Sequence, residues 1–123
     1  MEGMDDVAFL VALRRESDAL SAAARGHLGA AIPAVEGWKV GEVVVHVGQG
    51  SRWIANVVRD GLDGHAALAR LDPDPDRSDE AGPLAWFDAS TAELVEALEA
   101  GGPDDTGWTP RGPEALRYWW RRR

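Results

Sequence analysis

The sequence predicts an all-α protein, a bundle of four helical elements whose last member is short. Three features carry that prediction. An apolar stripe at helical spacing runs through the first 27 residues, and a second apolar series continues for about five turns beyond Val40. Glycine and proline then punctuate the chain where helices should stop. With 123 residues and no internal repeat, the chain reads as one domain over 1–123 with one hydrophobic core.

The first element spans about Asp6 to His27. Leu10, Leu13, Ser17, Leu20 and Ala24 alternate steps of three and four, while Arg14, Arg15, Glu16 and Asp18 fall off that line. Asp5 or Asp6 can cap its start, and Gly26 or Gly29 can end it. Ile32 to Gly37 is a connector, because Pro33 lacks a backbone donor and Gly37 permits a tight turn.

The second helix runs from about Val40 to Asp60. Val43, Val47, Ile54, Val57 and Val58 are expected on its buried face, with Arg52, Asn56 and Arg59 exposed. The β-branched run Val43-Val44-Val45 could open a strand, but the helical period of the apolar residues decides against it. Gly48 and Gly50 each weaken a helix by up to about 1 kcal/mol, so close approach of a neighbouring helix or a ligand should offset them.

From Gly61 to about Gly82 the helical signal is weakest, and Asp72-Pro73-Asp74-Pro75-Asp76 is expected to be a solvated linker. Gly82-Pro83 opens a third long helix with Leu84, Phe87, Leu94 and Leu98 on its core side, and Gly101-Gly102-Pro103 stops it. Trp108 and Thr109-Pro110 belong to another connector. A fourth helix is expected from Gly112-Pro113-Glu114 for about three turns, and no segment reads as β.

Composition narrows the function classes. Thirteen Lys and Arg against twenty-one Asp and Glu give a formal charge of −8, which disfavours nonspecific binding to nucleic acid or to an anionic membrane. No cysteine is present, so disulfides, thiolate ligands and a cysteine nucleophile are all excluded. The acidic start lacks the basic and apolar regions of a signal peptide, and no stretch nears the roughly 18–20 apolar residues of a membrane span. The expectation is a cytoplasmic protein. Arg121-Arg122-Arg123 reads as a helix's last turn, where cations oppose the dipole, with a phosphate contact as the alternative.

Among candidate functional residues His46 stands first. It follows Val43 by three and precedes Gly50 and Trp53 by four and seven, a stripe expected to face inward. Two readings stay open there: a core imidazole satisfied by one hydrogen bond, or a metal ligand. His27, at a helix end, and His65, in a glycine-flanked loop, lack the i,i+4 relation to His46 and are expected to be solvated or capping. The six tryptophans are helix-packing anchors by area, and Trp53, two turns from His46, is the best candidate to line a ligand pocket.

Several segments together carry a family resemblance. Gly37-Trp38-Lys39-Val40, Val44-Val45-His46-Val47-Gly48 and Arg52-Trp53, preceded by Leu13 to Leu20 in the first helix, are joined in order by later segments. These are Trp86-Phe87, Leu94 to Leu98 and Tyr118-Trp119-Trp120-Arg121-Arg122. This series resembles the N-terminal domain of mycothiol-dependent maleylpyruvate isomerases, within the wider DinB-like metal-binding bundles.

The resemblance implies a DinB-like four-helix bundle that holds a divalent metal, usually zinc, through His, Glu and His. It places His46 at the first ligand position. The other two would come from a Glu-x-x-x-His motif on the last helix, which does not occur before Arg123, so the bundle is expected to be incomplete at that end. Glu36 and Lys39 also replace the proline and hydroxyl residue usual around Gly-Trp, and lysine cannot cap a helix.

The implied cofactors are the metal and mycothiol. The thiolate would add to an activated double bond, permit rotation and leave with the trans isomer formed. The implied partners are therefore a small-molecule thiol and an electrophilic substrate. A shortened last helix would leave an apolar face open and favour a homo-oligomer. The alternative function is a non-catalytic bundle that self-associates or binds a partner.

Overall fold

The computed structural model describes residues 6–75, 81–101 and 105–120. Three long or medium helices form the frame: α1 (Asp6–Ala24), α2 (Val40–Asp60) and α4 (Ala81–Gly101). Between the last two lies a short helix, α3 (Gly64–Ala69), and the chain continues through a two-stranded ribbon into α5 (Arg117–Trp120). The fold is all-α, as expected, with one addition. Thr106–Gly107 (β1) pairs antiparallel with Glu114–Ala115 (β2), where the sequence suggested no β structure.

α1 follows its sequence stripe. Leu13, Ser17 and Ala24 are buried and Leu10 and Leu20 partly so. The helix ends at Ala24, three residues earlier than expected, with His27 N–H on the Ala24 carbonyl at 2.9 Å. The following connector is tied across itself: Ile32 N–H meets Trp38 O at 3.0 Å and Val40 N–H meets Ala30 O at 2.9 Å. Gly37 turns the chain there with φ of 83°, a left-handed conformation that a Cβ would strain.

α2 has the expected bounds and Lys39 at its N-cap. An ammonium has no lone pair to offer the helix, so only half of a reciprocal cap forms: Glu42 Oε1 accepts the Lys39 N–H at 3.1 Å. In the second half of α2 Ile54, Val57 and Val58 are buried as expected. In the first half the buried face differs from the sequence reading: Val44, Val45, Gly48 and Ser51 are buried, whereas Val43 and Val47 are only partly so. Asn56, expected to be exposed, is 7% exposed. Arg52, also expected outside, retains 17% side-chain exposure.

The direction of α4 follows from its contacts with α2. Gly48 abuts Trp86, Arg52 reaches Ser90 and Glu93, and Val58 meets Gly101. Contacts advance together along both helices, so the two run parallel. Twenty-one residues of helix span about 31 Å, and the connection between two parallel helices has to return that distance. The stretch after Asp60 is therefore a crossover rather than a tight loop, and α3 forms within it.

Packing divides the core into two layers. Near one end Val44, Leu84, Phe87 and Ala24 meet, with Leu20, Leu28 and Trp86 around them. Near the other, Leu13, Ile54, Val58, Leu94, Leu98, Leu116 and Trp119 form the larger layer. Leu84, Phe87, Leu94 and Leu98 are all buried, as their spacing in α4 required.

The last element is shorter than expected. Residues 112–116 are turn and ribbon, and helix begins only at Arg117. Thr109 and Arg111 explain the difference: Thr109 Oγ1 reaches Gly112 O at 2.6 Å, and Arg111 forms a double hydrogen bond with Glu114 at 2.8 Å each. These local bonds hold a turn where a helix would otherwise start. Asp72 to Asp74 are exposed, as expected of a solvated linker. Asp76, the Gly102-Pro103 stop and Arg121 to Arg123 lie outside the described residues.

Candidate functional site

An open cleft of about 550 Å³ lies where the crossover returns along α2. His46, Gln49, Gly50 and Trp53 supply the α2 wall, two turns of one helix face. Gly64, His65 and Leu68 from α3, together with Leu71, supply the opposite wall, and Trp108 closes the end. Its surface is mainly apolar, with His46, Gln49 and His65 as the polar side chains.

His46 does not enter the core. The residue is exposed, its ring standing edge-on to Trp38 at 5.6 Å between centroids and 70° between planes. The expectation of an inward imidazole rested on the Val43/Val47 phase of the helix. Burial follows Val44 and Gly48 instead, and His46 lies two residues, about 200° of rotation, from Val44. The imidazole consequently lines the cleft from its rim.

Trp53 does line the cleft, and it is anchored from behind. Its indole Nε1 donates to Gly64 O at 2.9 Å, while its ring meets Trp119 edge-on at 5.5 Å and Trp108 at 6.0 Å. Trp108 and Trp119 stack at 6.1 Å with 19° between planes, and Trp119 Nε1 donates to Trp108 O at 2.9 Å. Each aromatic pair adds about 0.5–1.5 kcal/mol beyond its buried area, so this cluster makes one end of the cleft rigid. Trp108 lies in the connector after β1, as expected, and from there it forms a wall of the cleft.

α3 is too short to persist alone, and four contacts seat it. Asp63 at its N-cap accepts Ala66 N–H at 2.8 Å. Buried Asn56 of α2 donates to Ala67 O at 3.2 Å, and Trp53 takes Gly64 O. Gly64 itself lies against the Trp108 ring so closely that a Cβ would stand 2.5 Å from Cη2. His65 is therefore helical, not in a loop, and it faces the same cleft as His46. The missed signal was Asp63 as an N-cap ahead of Ala66-Ala67-Leu68-Ala69, all good helix formers. His27 is exposed just beyond α1 and does not line the cleft.

Beside the cleft, the charged groups form an interhelical brace. Arg52 donates to Ser90 Oγ at 2.6 Å and Glu93 Oε2 at 3.0 Å, with its guanidinium 5.1 Å from the Trp86 ring centroid. Glu93 also accepts from Arg59 Nη1 at 2.9 Å. Arg59 further donates to Asp60 from Nε and Nη2, each at 3.1 Å, and these bonds hold the Asp60 carboxyl below its ordinary range. Gln49 Nε2 donates to Asp74 Oδ1, linking the cleft to the linker.

A catalytic zinc usually takes three protein donors. Among the described residues no three His, Cys, Asp or Glu side chains are grouped to hold a metal ion. Of the His-Glu-His set that the resemblance implies, His46 is the one member with a position in this sequence, and its cleft neighbours are mainly apolar. Also among the described residues, no helix is long and apolar enough to cross a membrane.

No curated protein and no solved structure matches this chain. A family model does, over residues 10–123, which takes in every element lining the cleft. The chain belongs to the family described as the mycothiol maleylpyruvate isomerase N-terminal domain.

Proposed function

We propose that this chain is a thiol-handling domain of the mycothiol-dependent isomerase and thiol-transferase type, acting on an electrophilic small molecule in the cytoplasm. The observation that carries this reading is the cleft, which joins His46 and Trp53, on a chain whose family is mycothiol-linked. The nucleophilic sulfur would be the ligand's, since the protein has no cysteine.

In the isomerase reaction a carbon–sulfur bond forms as the substrate double bond becomes single. Rotation follows, and expulsion of the same thiolate restores the double bond, so the thiol is regenerated. Trp53 and Trp108 would hold the apolar part of the ligands and exclude water, which strengthens polar contacts inside the cleft. His46, at the rim, is the imidazole we assign to the reacting end. In its family role it would be one donor to a divalent metal such as zinc, but the described residues do not complete that site.

Incubating the protein with mycothiol and maleylpyruvate, and following conversion of the cis to the trans isomer by NMR, tests the reading. Thiol-dependent conversion lost in His46→Ala supports it. No conversion, together with no perturbation of tryptophan fluorescence by mycothiol, sinks it.

The absence of a three-donor group among the described residues favours a second reading, a non-catalytic bundle that self-associates. Val7 and Val11 are 71% and 51% exposed along α1. They share a groove with Arg14, Arg15, Asp18 and Glu99, a strip carrying both charges and so suited to a second copy. Light scattering that gives a monomer at high concentration would remove this reading.

A further inference from the structure

The fold goes to some length to deliver His65. A six-residue helix would not form by itself, yet α3 is capped by Asp63, bonded by buried Asn56 and fixed against Trp53 and Trp108 at Gly64. The outcome is a second imidazole on the cleft wall opposite His46. Gly64 cannot acquire a side chain without displacing Trp108, so the entry to α3 is held in one position.

The cleft's chemistry describes what such an imidazole would meet. Trp53, Trp108, Leu68 and Leu71 offer flat and apolar walls. On the α2 side, Gly50 has nothing within 4 Å of where a Cβ would be, so that wall is open. Among the described residues no side chain of the lining is a carboxylate, and Asp74, which reaches the edge of the cleft, has Oδ1 held by Gln49 Nε2. Of the lining side chains, the imidazoles of His46 and His65 can offer an anion a ring N–H.

We propose that His65 is a ligand-contacting residue of this cleft, donating a hydrogen bond to the anionic head of a small molecule whose flat, apolar body lies against Trp53 and Trp108. This deepens the thiol-handling reading and rests on it for the biological role, because it specifies the kind of electrophile or thiol conjugate the cleft accepts. The contact comes from α3, an element outside the metal-ligand pattern that the family resemblance implies.

Anilinonaphthalene sulfonate, an aromatic body with one sulfonate, is a direct probe, and neutral N-phenylnaphthylamine is its uncharged counterpart. The wild-type chain should bind the sulfonate saturably by fluorescence. His65→Ala should weaken it at least about tenfold, the scale of a hydrogen bond to a charged group. Binding of the neutral probe should stay within about twofold, and His65→Gln, which keeps an N–H donor, should recover part of the loss. His27→Ala, outside the cleft, should bind as wild type. Circular dichroism melts establish that each variant is folded.

Unchanged sulfonate binding in His65→Ala would overturn the assignment, as would equal loss of the neutral probe or no saturable binding by the wild type. A probe bound only in the α1/α4 groove gives the first of those results. Loss of sulfonate binding without any thiol-dependent turnover would leave His65 assigned and count against the thiol reading alone.

Discussion

Gly48 of α2 and Trp86 of α4 share one packing space: a Cβ on Gly48 would overlap the six-membered ring of Trp86. The indole is rigid, and Arg52 lies against its ring at 5.1 Å from the centroid. Close contact of the two parallel helices therefore depends on a missing side chain. That contact puts Val44 and Gly48 toward α4 and turns His46 to the cleft.

Gly48→Ala should consequently destabilise the protein, even though alanine is the better helix former by up to about 1 kcal/mol. Overpacking typically costs about 1–3 kcal/mol, and the ring has no flexible end that could yield. Gly50→Ala meets open space and should instead stabilise by about 0.5–1 kcal/mol. Urea unfolding of the two single variants gives opposite signs. Equal destabilisation by both would contradict the packing.

Asn56→Ala removes one of two donors to Ala67 O, which keeps the Arg70 N–H at 3.3 Å, and also the Oδ1 acceptor of Arg59 Nη2. A cost of about 0.5–1.5 kcal/mol is expected. The more specific outcome concerns α3. Amide hydrogen exchange over 64–69 should accelerate well before exchange in α2, because α3 is held mainly by tertiary contacts. Uniform acceleration in both helices would argue against this tie.

Acid should weaken the Arg59–Asp60 pair. Hydrogen bonds from Arg59 lower the Asp60 carboxyl relative to the unfolded chain, so its stabilisation is complete above the ordinary aspartate range. It is lost as pH falls through the folded value, below about pH 4. Asp60→Asn should therefore reduce stability at neutral pH and leave a shallower acid limb. The difference should be no more than about 1 kcal/mol for a pair this close to solvent. Denaturant midpoints between pH 2.5 and 7 read it.

Chelation should leave the fold intact. The described residues bring no three metal-ligating side chains together, and both core layers are apolar. The thermal midpoint should thus be unchanged by EDTA, and zinc should bind this chain weakly, with His46→Ala reducing what binding there is. A melting temperature that falls by several degrees on chelation would mean that a structural metal exists.

Much of the frame was legible. The stripe from Leu10 to Ala24, the bounds of α2 and the buried face of α4 are periodic signals, which need no knowledge of partners. The turn at Gly37 and the close approach at Gly48 were likewise suggested by residue type. The ribbon between Thr106 and Ala115 was not, because two residues per strand are too few to show alternation. α5 starts later than its Gly-Pro-Glu signal predicts because Thr109 and Arg111 make local bonds that compete with helix.

Of the candidate site, the helical spacing of His46 and Trp53 was legible, and both line the cleft. The orientation of His46 was not readable, since Val43, Val44 and Val45 permit either helical phase and a buried glycine carries no hydrophobic mark. Trp108 and His65 come from segments 55 and 12 residues beyond Trp53, so no spacing rule relates them to α2.

By itself the sequence determined the three long helices and the apolar faces of α1 and α4, because each depends on residues within a few turns of one another. Only the tertiary structure decided that α2 and α4 run parallel, that the return crossover carries α3, and that two imidazoles meet one cleft. Those depend on which side chains are absent at Gly48 and Gly64 and on what fills the space, a property of facing surfaces.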